Sequence, residues 1–471
     1  MAPYNTPQAI RPLDLWISSL TDEAITEGMA NLLPCDRFDN LFLAADSRNR
    51  ADWLLGVNSS HAICKAVGFG NNSLGRVQTP VLAEICRRYR ERENHMPADS
   101  WPVFISLCKN DRILKMRHVD DLVARREALA LYEDCKAAKN ARITAVRKRT
   151  EEIGAPALYN LAELQKDANR YHGLTAIQVQ EIAQSLYEKR LISYPRTSSR
   201  LLPGDVYDTL PPVMEKMLSR KEFRQYAGMV DLAAPQDSIG AQDTMEHHAI
   251  IITGIQPGKL GREEMQVYTL IVGRVLETFM PPCKVEYTTV DAVCAARKFR
   301  IRTYRILEKG WLGIFEREHI VAKGCMPCPM LPEFFQEEIL PVAGCSLIHK
   351  KSLPVSPYTD EELVDYMDKA GLGTVSTRTN ILRTLLERKY ILYSGKYVVP
   401  TPKGLFLYET VRGMKVADAS LTSGWETELA RIERGELSQE EFLDGVLETV
   451  NEVTGEIFRN HPVEKRPQGT I

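Results

Sequence analysis

Leu191-Ile192-Ser193-Tyr194-Pro195-Arg196-Thr197 sets a phenol beside a guanidinium on a backbone that cannot be helical. Pro195 fixes its own φ and pushes Tyr194 out of the helical region, so the segment is extended. Residues two apart on an extended chain face the same side, and Tyr194 and Arg196 therefore project together. A tyrosine hydroxyl titrates near pH ~10 and is a poor nucleophile unless a neighbour stabilises the developing charge. Arginine stays charged and matches phosphate oxygens in a bidentate fashion, so the pair suits attack on a phosphodiester. A lone Tyr-Pro-Arg tripeptide is more often a half-buried tyrosine with a surface arginine. The surrounding sequence has to decide.

Upstream, Thr175 to Arg190 reads as a helix. Thr175 and Gln178 match a capping box, and Val179, Ile182, Ala183 and Leu186 form an apolar stripe at spacings of three and four. Lys189 and Arg190 are expected in its last turn, where cations suit the helix dipole. Downstream, Glu246-His247-His248-Ala249-Ile250-Ile251 places a carboxylate and two imidazoles before an apolar run. No third ligand stands at helical spacing, which argues against a zinc site.

Three further clusters stand out. Arg48 and Asp52 are four apart in a predicted helix and can pair on one face. Ser73-Leu74-Gly75-Arg76-Val77-Gln78-Thr79-Pro80 is a glycine turn that enters a helix with Pro80 in its first turn. Gly371-Leu372-Gly373-Thr374-Val375-Ser376-Thr377-Arg378 is a second glycine- and hydroxyl-rich entry, leading to a helix predicted over 381–388. Backbone amides at such a helix start suit phosphate.

In content and in order, these clusters resemble the motifs of the type IA DNA topoisomerases, most closely the topoisomerase III branch. Tyr194 to Thr197 resembles the family's Y-P-R-T-D-S. Ser73 to Pro80 is similar to S-x-G-R-V-Q-T-P, and Arg48 to Trp53 to R-x-x-A-D-W. Glu246 to Ile251 resembles E/D-H-H-A-I-I-P-T, Gly371 to Arg378 resembles G-I-G-T-P-A-T-R, and Val399 to Gly404 resembles V-P-T-E-K-G. The similarity runs from about Leu15 to about Gly435.

The resemblance implies that Tyr194 attacks single-stranded DNA to form a 5′-phosphotyrosyl link while Arg196 holds the scissile phosphate. It implies DNA contacts for His247, with His248 beside it, for Arg76 and Gln78 near the gate, and for Thr377 and Arg378 on upstream phosphates. Arg48 and Asp52 would position the strand. The implied fold is multidomain α+β, a toroid. Residues 1–97 and 356–471 would form an outer helical domain with a winged-helix-like unit. Residues 98–156 and 263–355 would form a β-rich gate arch, and 157–262 the tyrosine domain.

The chain also departs from the family pattern. Ser198 and Ile252 replace the usual aspartate and proline, and Asp243 stands near a position that often carries lysine. The family opens with a Toprim domain that carries an Asp-x-Asp metal site, and no Asp-x-Asp triplet occurs in this sequence. The expectation is that Mg²⁺ belongs to Toprim and not to this chain, which alone would be impaired. Toprim would come from a separate chain or have been lost, and in the latter case the protein is an inactive single-strand-binding remnant. A tyrosine recombinase also uses Arg, His and Tyr, but there the tyrosine follows the histidine, whereas Tyr194 precedes His247.

Composition bounds these readings. A net charge of −2 excludes indiscriminate coating of DNA and requires local cationic tracks. Candidates are Arg87, Arg88, Arg90, Arg92, Lys136, Lys139, Arg142 and Arg147 to Arg149, the run from Arg142 to Arg149 reading as a solvated helix face. Among ten cysteines only Cys325 and Cys328 form a C-x-x-C, without the second pair a zinc ribbon needs. Neither a signal peptide nor an apolar stretch of ~18 residues is evident, and the reading is cytoplasmic, without membrane attachment. A β-hairpin with a two-residue turn at Ser394-Gly395 is predicted after the 381–388 helix.

Overall fold

Four clusters of buried apolar side chains organise the computed structural model, which describes residues 13–15, 22–68, 71–221, 223–231 and 247–461. Glu246 and Asp243, both singled out above, lie outside the described residues.

The first cluster joins regions distant in sequence. Helix Asp39–Val67 buries Ala44, Ser47, Ala51, Leu55, Ser59, Ala62 and Ile63, mostly small residues at helical spacing. Small side chains let helix Gln439–Asn460 approach with Phe442, Val446, Val450, Val453 and Ile457. Helices Gln78–Glu93, Asp360–Lys369, Arg378–Glu387, Pro402–Val411 and Ala419–Glu433 complete this lobe. Its sheet has the order Tyr358–Thr359, Tyr397–Pro400, Ile391–Ser394. The hairpin forms, but Ser394 pairs with Tyr397, so its turn residues are Gly395 and Lys396. Gly395 supplies the positive φ, +61°, that such a turn needs. Gly404 answers a different demand, because a Cβ there would lie 2.0 Å from the Tyr390 carbonyl oxygen.

The third cluster fills a closed barrel. Its strands run in the order Arg112–His118, Val103–Lys109, Ile339–Leu347, Asn140–Ile153, Cys283–Cys294, Arg297–Glu308. Pairing of Arg117 with Arg300 and of His118 with Phe299 closes the circle. Alternation sends Val103, Ile105, Leu107, Leu114, Met116, Ile143, Val290, Ala292 and Phe299 inward. The last three strands in this order continue past the barrel and pack Tyr287 and Tyr304 with Trp311 in the fourth cluster.

The run from Arg142 to Arg149 is therefore strand, not helix face. Only Ala141 and Ile143 are buried there, and beyond them both faces of the ribbon are partly open. The period-two pattern that marks a strand fades with that burial.

The second cluster packs helices Leu161–His172, Ala176–Glu188, Leu210–Leu218 and Arg262–Thr278 around the segments that carry Tyr194 and His247. It docks on the helical lobe through polar contacts. The Asp360 carboxylate accepts from the Ala176 amide at 2.7 Å and from the Tyr393 hydroxyl at 2.9 Å. Lys166 pairs with Asp365 at 2.8 Å, and Gln165 donates to Thr379 Oγ1 at 3.2 Å. Burial, though opposed by the Ala176 amide and the Tyr393 hydroxyl, holds the Asp360 carboxyl above its usual range.

Candidate active site

The tyrosine segment begins where a helix is made to stop. Thr175 and Gln178 form the expected capping box at the start of Ala176–Glu188. At its end, Leu191 N–H donates to Leu186 O at 3.0 Å and Arg190 N–H to Tyr187 O at 2.8 Å. This is a Schellman closure, with Arg190 in the left-handed position at φ 61°. Lys189 is thus the C-cap, and Arg190 lies beyond the helix rather than in its last turn. Glu264 clamps this end by accepting from Lys189 Nζ and from Ser185 Oγ. The Lys189 bond, then the Gly261 amide and Ser185, lower the Glu264 carboxyl to about 2.

From there the chain is extended and stitched to the histidine segment. Ile192 bridges to Ile252, Ser193 N–H donates to Ile251 O at 2.9 Å, and Thr197 Oγ1 donates to His247 O at 3.0 Å. These bonds bring His247 to Tyr194, with ring centroids 4.6 Å apart and planes at 49°. Tyr187 meets Tyr194 edge-on, with ring centroids 5.4 Å apart. The Tyr194 ring is half-buried, neither sealed in the core nor loose on the surface.

Arg196 is also half-buried, and its Nε is closed from solvent with no hydrogen-bond partner. Among the described residues Arg196 makes no ion pair. A guanidinium left with an unsatisfied buried donor is held ready for an anion. Arg200 is different, because it donates to the carbonyls of Leu158 and Ala157 and serves as a backbone anchor. His248 also turns away. It is 7% exposed, and its Nδ1 donates to Ala249 O at 2.7 Å.

The remaining expected residues form separate groups. Arg48 and Asp52 do not pair with each other. Arg48 pairs with Glu426 at 2.7 Å, and Asp52 pairs with Arg76 Nε at 2.7 Å. Arg76 also reaches Glu426 at 2.9 Å and lies 5.6 Å from the Trp425 ring. Arg76 is 4% exposed, so it presents no free guanidinium to a phosphate. Burial lowers the Arg76 pKa, but the Asp52 hydrogen bond and the Glu426 charge more than offset this and hold it above the ordinary value. Gln78 accepts from Arg388 Nη1 at 2.7 Å, which ties the 73–80 turn to the end of helix Arg378–Glu387. Thr377 is exposed at the start of that helix, while Arg378 is buried and pairs with Asp368 at 2.7 Å. No hydrogen bond or ion pair among the described residues joins Tyr194 or Arg196 to these groups.

Sequence reasoning missed Glu426, Tyr187, Glu264 and Arg388. Glu426 bonds Arg76 across 350 residues of chain and carries no local signal. Tyr187 had one, since it shares a helix with the expected stripe and stands seven residues before Tyr194.

Comparison with known proteins adds independent findings. A family model described as DNA topoisomerase matches residues 36–444. DNA topoisomerase 3 of Bacillus licheniformis is 29% identical over 474 residues, covering 94% of this chain and 64% of the relative. DNA topoisomerase 1 of Methanocaldococcus jannaschii is 29% identical over 436 residues, covering 91% and 55%. The chain thus spans less than two thirds of the length of these relatives. The structure of full-length topoisomerase I from Thermotoga maritima shares the fold, with a TM-score of 0.76 at 20% identity, covering 93% of this chain and 72% of that one. The expected fold class, a multidomain α+β toroidal core, is the one observed. With the family match extending over most of its length, the chain belongs to the type IA DNA topoisomerase family.

Proposed function

We propose that this chain carries the strand-cleaving tyrosine of a topoisomerase III-like enzyme acting on single-stranded DNA. One observation supports this above the rest. The half-buried Tyr194 phenol touches the His247 and Tyr187 rings, with the unsatisfied Arg196 Nε two residues along.

In this reading Tyr194 Oη attacks a backbone phosphorus. An O–P bond to tyrosine forms, the P–O3′ bond breaks, and the strand is left with a 3′ hydroxyl and a 5′-phosphotyrosyl end. Arg196 binds the phosphate and offsets the charge that grows on its oxygens in the transition state. His247 holds the phenol ring and contacts the adjoining backbone. Thr377 and the helix start behind it receive an upstream phosphate. Resealing runs the exchange backwards. The phosphotyrosyl ester keeps the energy of the broken bond, so ATP is not consumed.

The groups around Tyr194 do not fit magnesium, which takes oxygen ligands from carboxylates. Arg196, His247 and Tyr187 offer none, and among the described residues no three His, Cys, Asp or Glu side chains form a metal-holding group. In this reading magnesium and the acid for the leaving 3′ oxygen belong to a Toprim segment, and no step above runs through the metal. Among the described residues no helix is long and apolar enough to cross a membrane.

The test mixes the chain with a Toprim-bearing partner, Mg²⁺ and an end-labelled single-stranded oligonucleotide, then denatures. A covalent protein–DNA band that maps to Tyr194 is expected. If no such band forms under any of these conditions while DNA is still bound, the binding-only reading takes its place.

A further inference from the structure

Four charged side chains gather around one phenol, that of Tyr159, which is 0% exposed. The Tyr159 hydroxyl donates to Asp167 Oδ2 at 2.5 Å and accepts from Arg317 Nη2 at 3.0 Å, so its donor and an acceptor site are both used. Arg274 donates to Asp167 Oδ2 at 2.8 Å and to Glu277 Oε2 at 3.1 Å, with its guanidinium 4.1 Å from the Tyr159 ring centre. Arg274, Glu277 and Arg317 are all buried. Asp167 lies on helix Leu161–His172, and Arg274 and Glu277 lie on helix Arg262–Thr278. Arg317 arrives from a different part of the chain, just after the short helix Leu312–Phe315. Phe315 holds that segment close, because a Cβ at Gly273 would lie 2.1 Å from its ring carbons. Only glycine admits the approach.

Stability does not explain this cluster. Arg317 Nη1 lies 3.0 Å from Asp167 Oδ2, yet Nη1, Nε and Glu277 Oε1 are buried without a hydrogen-bond partner. A partly satisfied network of buried charges is worse for stability than apolar side chains of the same volume. What the cluster does fix is the strand that carries Tyr159. The Tyr159 carbonyl accepts from Ile250 N–H at 2.8 Å, and the Leu161 amide donates to Thr197 O at 3.2 Å. Asn160 Nδ2 donates to Ser198 O at 3.0 Å. Residues 159–161 thus hold the chain just after Tyr194 and the chain just after His247 at once. Thr197, one of the residues held, is the one whose hydroxyl donates to His247 O.

We propose that Arg317 and Tyr159 are positioning residues for the Tyr194–His247 pair. The Arg317 guanidinium fixes the Tyr159 hydroxyl, and the Tyr159 strand fixes the two segments that meet at the site. The role in cleavage rests on the reading of Tyr194 given above, whereas the role in geometry does not. Neither residue touches the reacting phosphate in this account. Their effect is on the placement of the imidazole beside the phenol, and a small misplacement of reacting groups is costly to rate while leaving binding intact. Because Arg317 belongs to the segment docked by Phe315, any movement of that segment away from helix Arg262–Thr278 would release the pair.

The test uses the full chain with histidine ¹³C-labelled at Cε1 and follows the His247 resonance, assigned by its absence in His247→Gln. Tyr159→Phe removes one oxygen and keeps the ring against Arg274. Arg317→Lys keeps a charge for Asp167 and Glu277 but loses the fork that also reaches the hydroxyl. Each should move the His247 resonance. Arg76→Ala, which breaks a buried ion pair in the helical lobe, should leave it in place. With a Toprim-bearing partner, Mg²⁺ and saturating single-stranded DNA, the two variants should form the Tyr194 adduct more slowly, on the order of 10- to 100-fold, at unchanged DNA affinity. A fixed His247 resonance in folded Tyr159→Phe overturns the proposal, and that variant decides the matter even where Arg317→Lys does not fold. An equal shift in Arg76→Ala overturns it too, as does adduct formation at the parent rate in both variants. A parent that forms no adduct overturns the cleavage reading alone, and the resonance still decides the positioning.

Discussion

Arg196 and Arg76 carry the same guanidinium in opposite surroundings. Arg76 is closed from solvent, held by Asp52 and Glu426, and set near the Trp425 ring. Arg196 has a buried donor with no partner and stands two residues along the chain from the half-buried Tyr194. The first cation is used up inside the helical lobe, where it joins helices Asp39–Val67 and Ala419–Glu433 to the turn that carries it. The second is left available. A motif identifies which residues are arginines, but the carboxylates around each decide whether it can meet a phosphate.

The contrast is broken most severely by alanine at each site. Losing a buried ion-pair partner costs about 3–5 kcal/mol, and the partial exposure of Asp52 and Glu426 reduces this, so Arg76→Ala should cost about 2–3 kcal/mol in urea unfolding. Arg196→Ala should change stability by less than about 0.5 kcal/mol. It should instead cut the yield of covalent adduct by a factor on the order of 100, as loss of a transition-state charge partner does. Equal destabilisation by the two changes would erase the distinction.

A smaller effect tests how the tyrosine helix is held. Glu264 is lowered to about 2 from an ordinary 4.5. A lowered carboxyl contributes stability above its unfolded pKa and loses it as pH falls through the folded one. The parent chain should therefore lose this contribution between pH 4.5 and about 2, and Glu264→Gln should flatten the stability profile in that window. Parallel profiles would show that the clamp on Lys189 contributes nothing.

The smallest expected effect lies at Arg190. Its left-handed backbone costs about 1 kcal/mol for a residue with a side chain, and glycine relieves it. Its exposed pair with Asp22 contributes no more than about 0.5 kcal/mol. Arg190→Gly should thus stabilise by about 0.5 kcal/mol, read as a small rise in the urea midpoint.

What the sequence made legible was local. The capping box at Thr175, the helix it starts, the extended Tyr194 segment and the 391–400 hairpin all follow from residues a few positions apart. The strand over 140–153 was missed because its burial covers only Ala141 and Ile143, leaving its charged half without a dominant period. At the site, the motifs named Tyr194, Arg196 and His247, and the structure sets the Tyr194 and His247 rings 4.6 Å apart. They also paired Arg48 with Asp52, because i,i+4 spacing is visible and Glu426 is not. Long-range carboxylates changed the part each arginine plays, and no local pattern carries that information.

The central claim is that the Tyr194 oxygen becomes bonded to phosphorus. Incubating the parent chain and Tyr194→Phe with labelled single-stranded DNA, Mg²⁺ and a Toprim-bearing partner, followed by denaturation and peptide mapping, tests it directly. The account predicts phosphorylated DNA-linked peptide at Tyr194 in the parent and none in the phenylalanine variant, with both chains binding DNA equally. An adduct that persists in Tyr194→Phe, or maps to another residue, would contradict it.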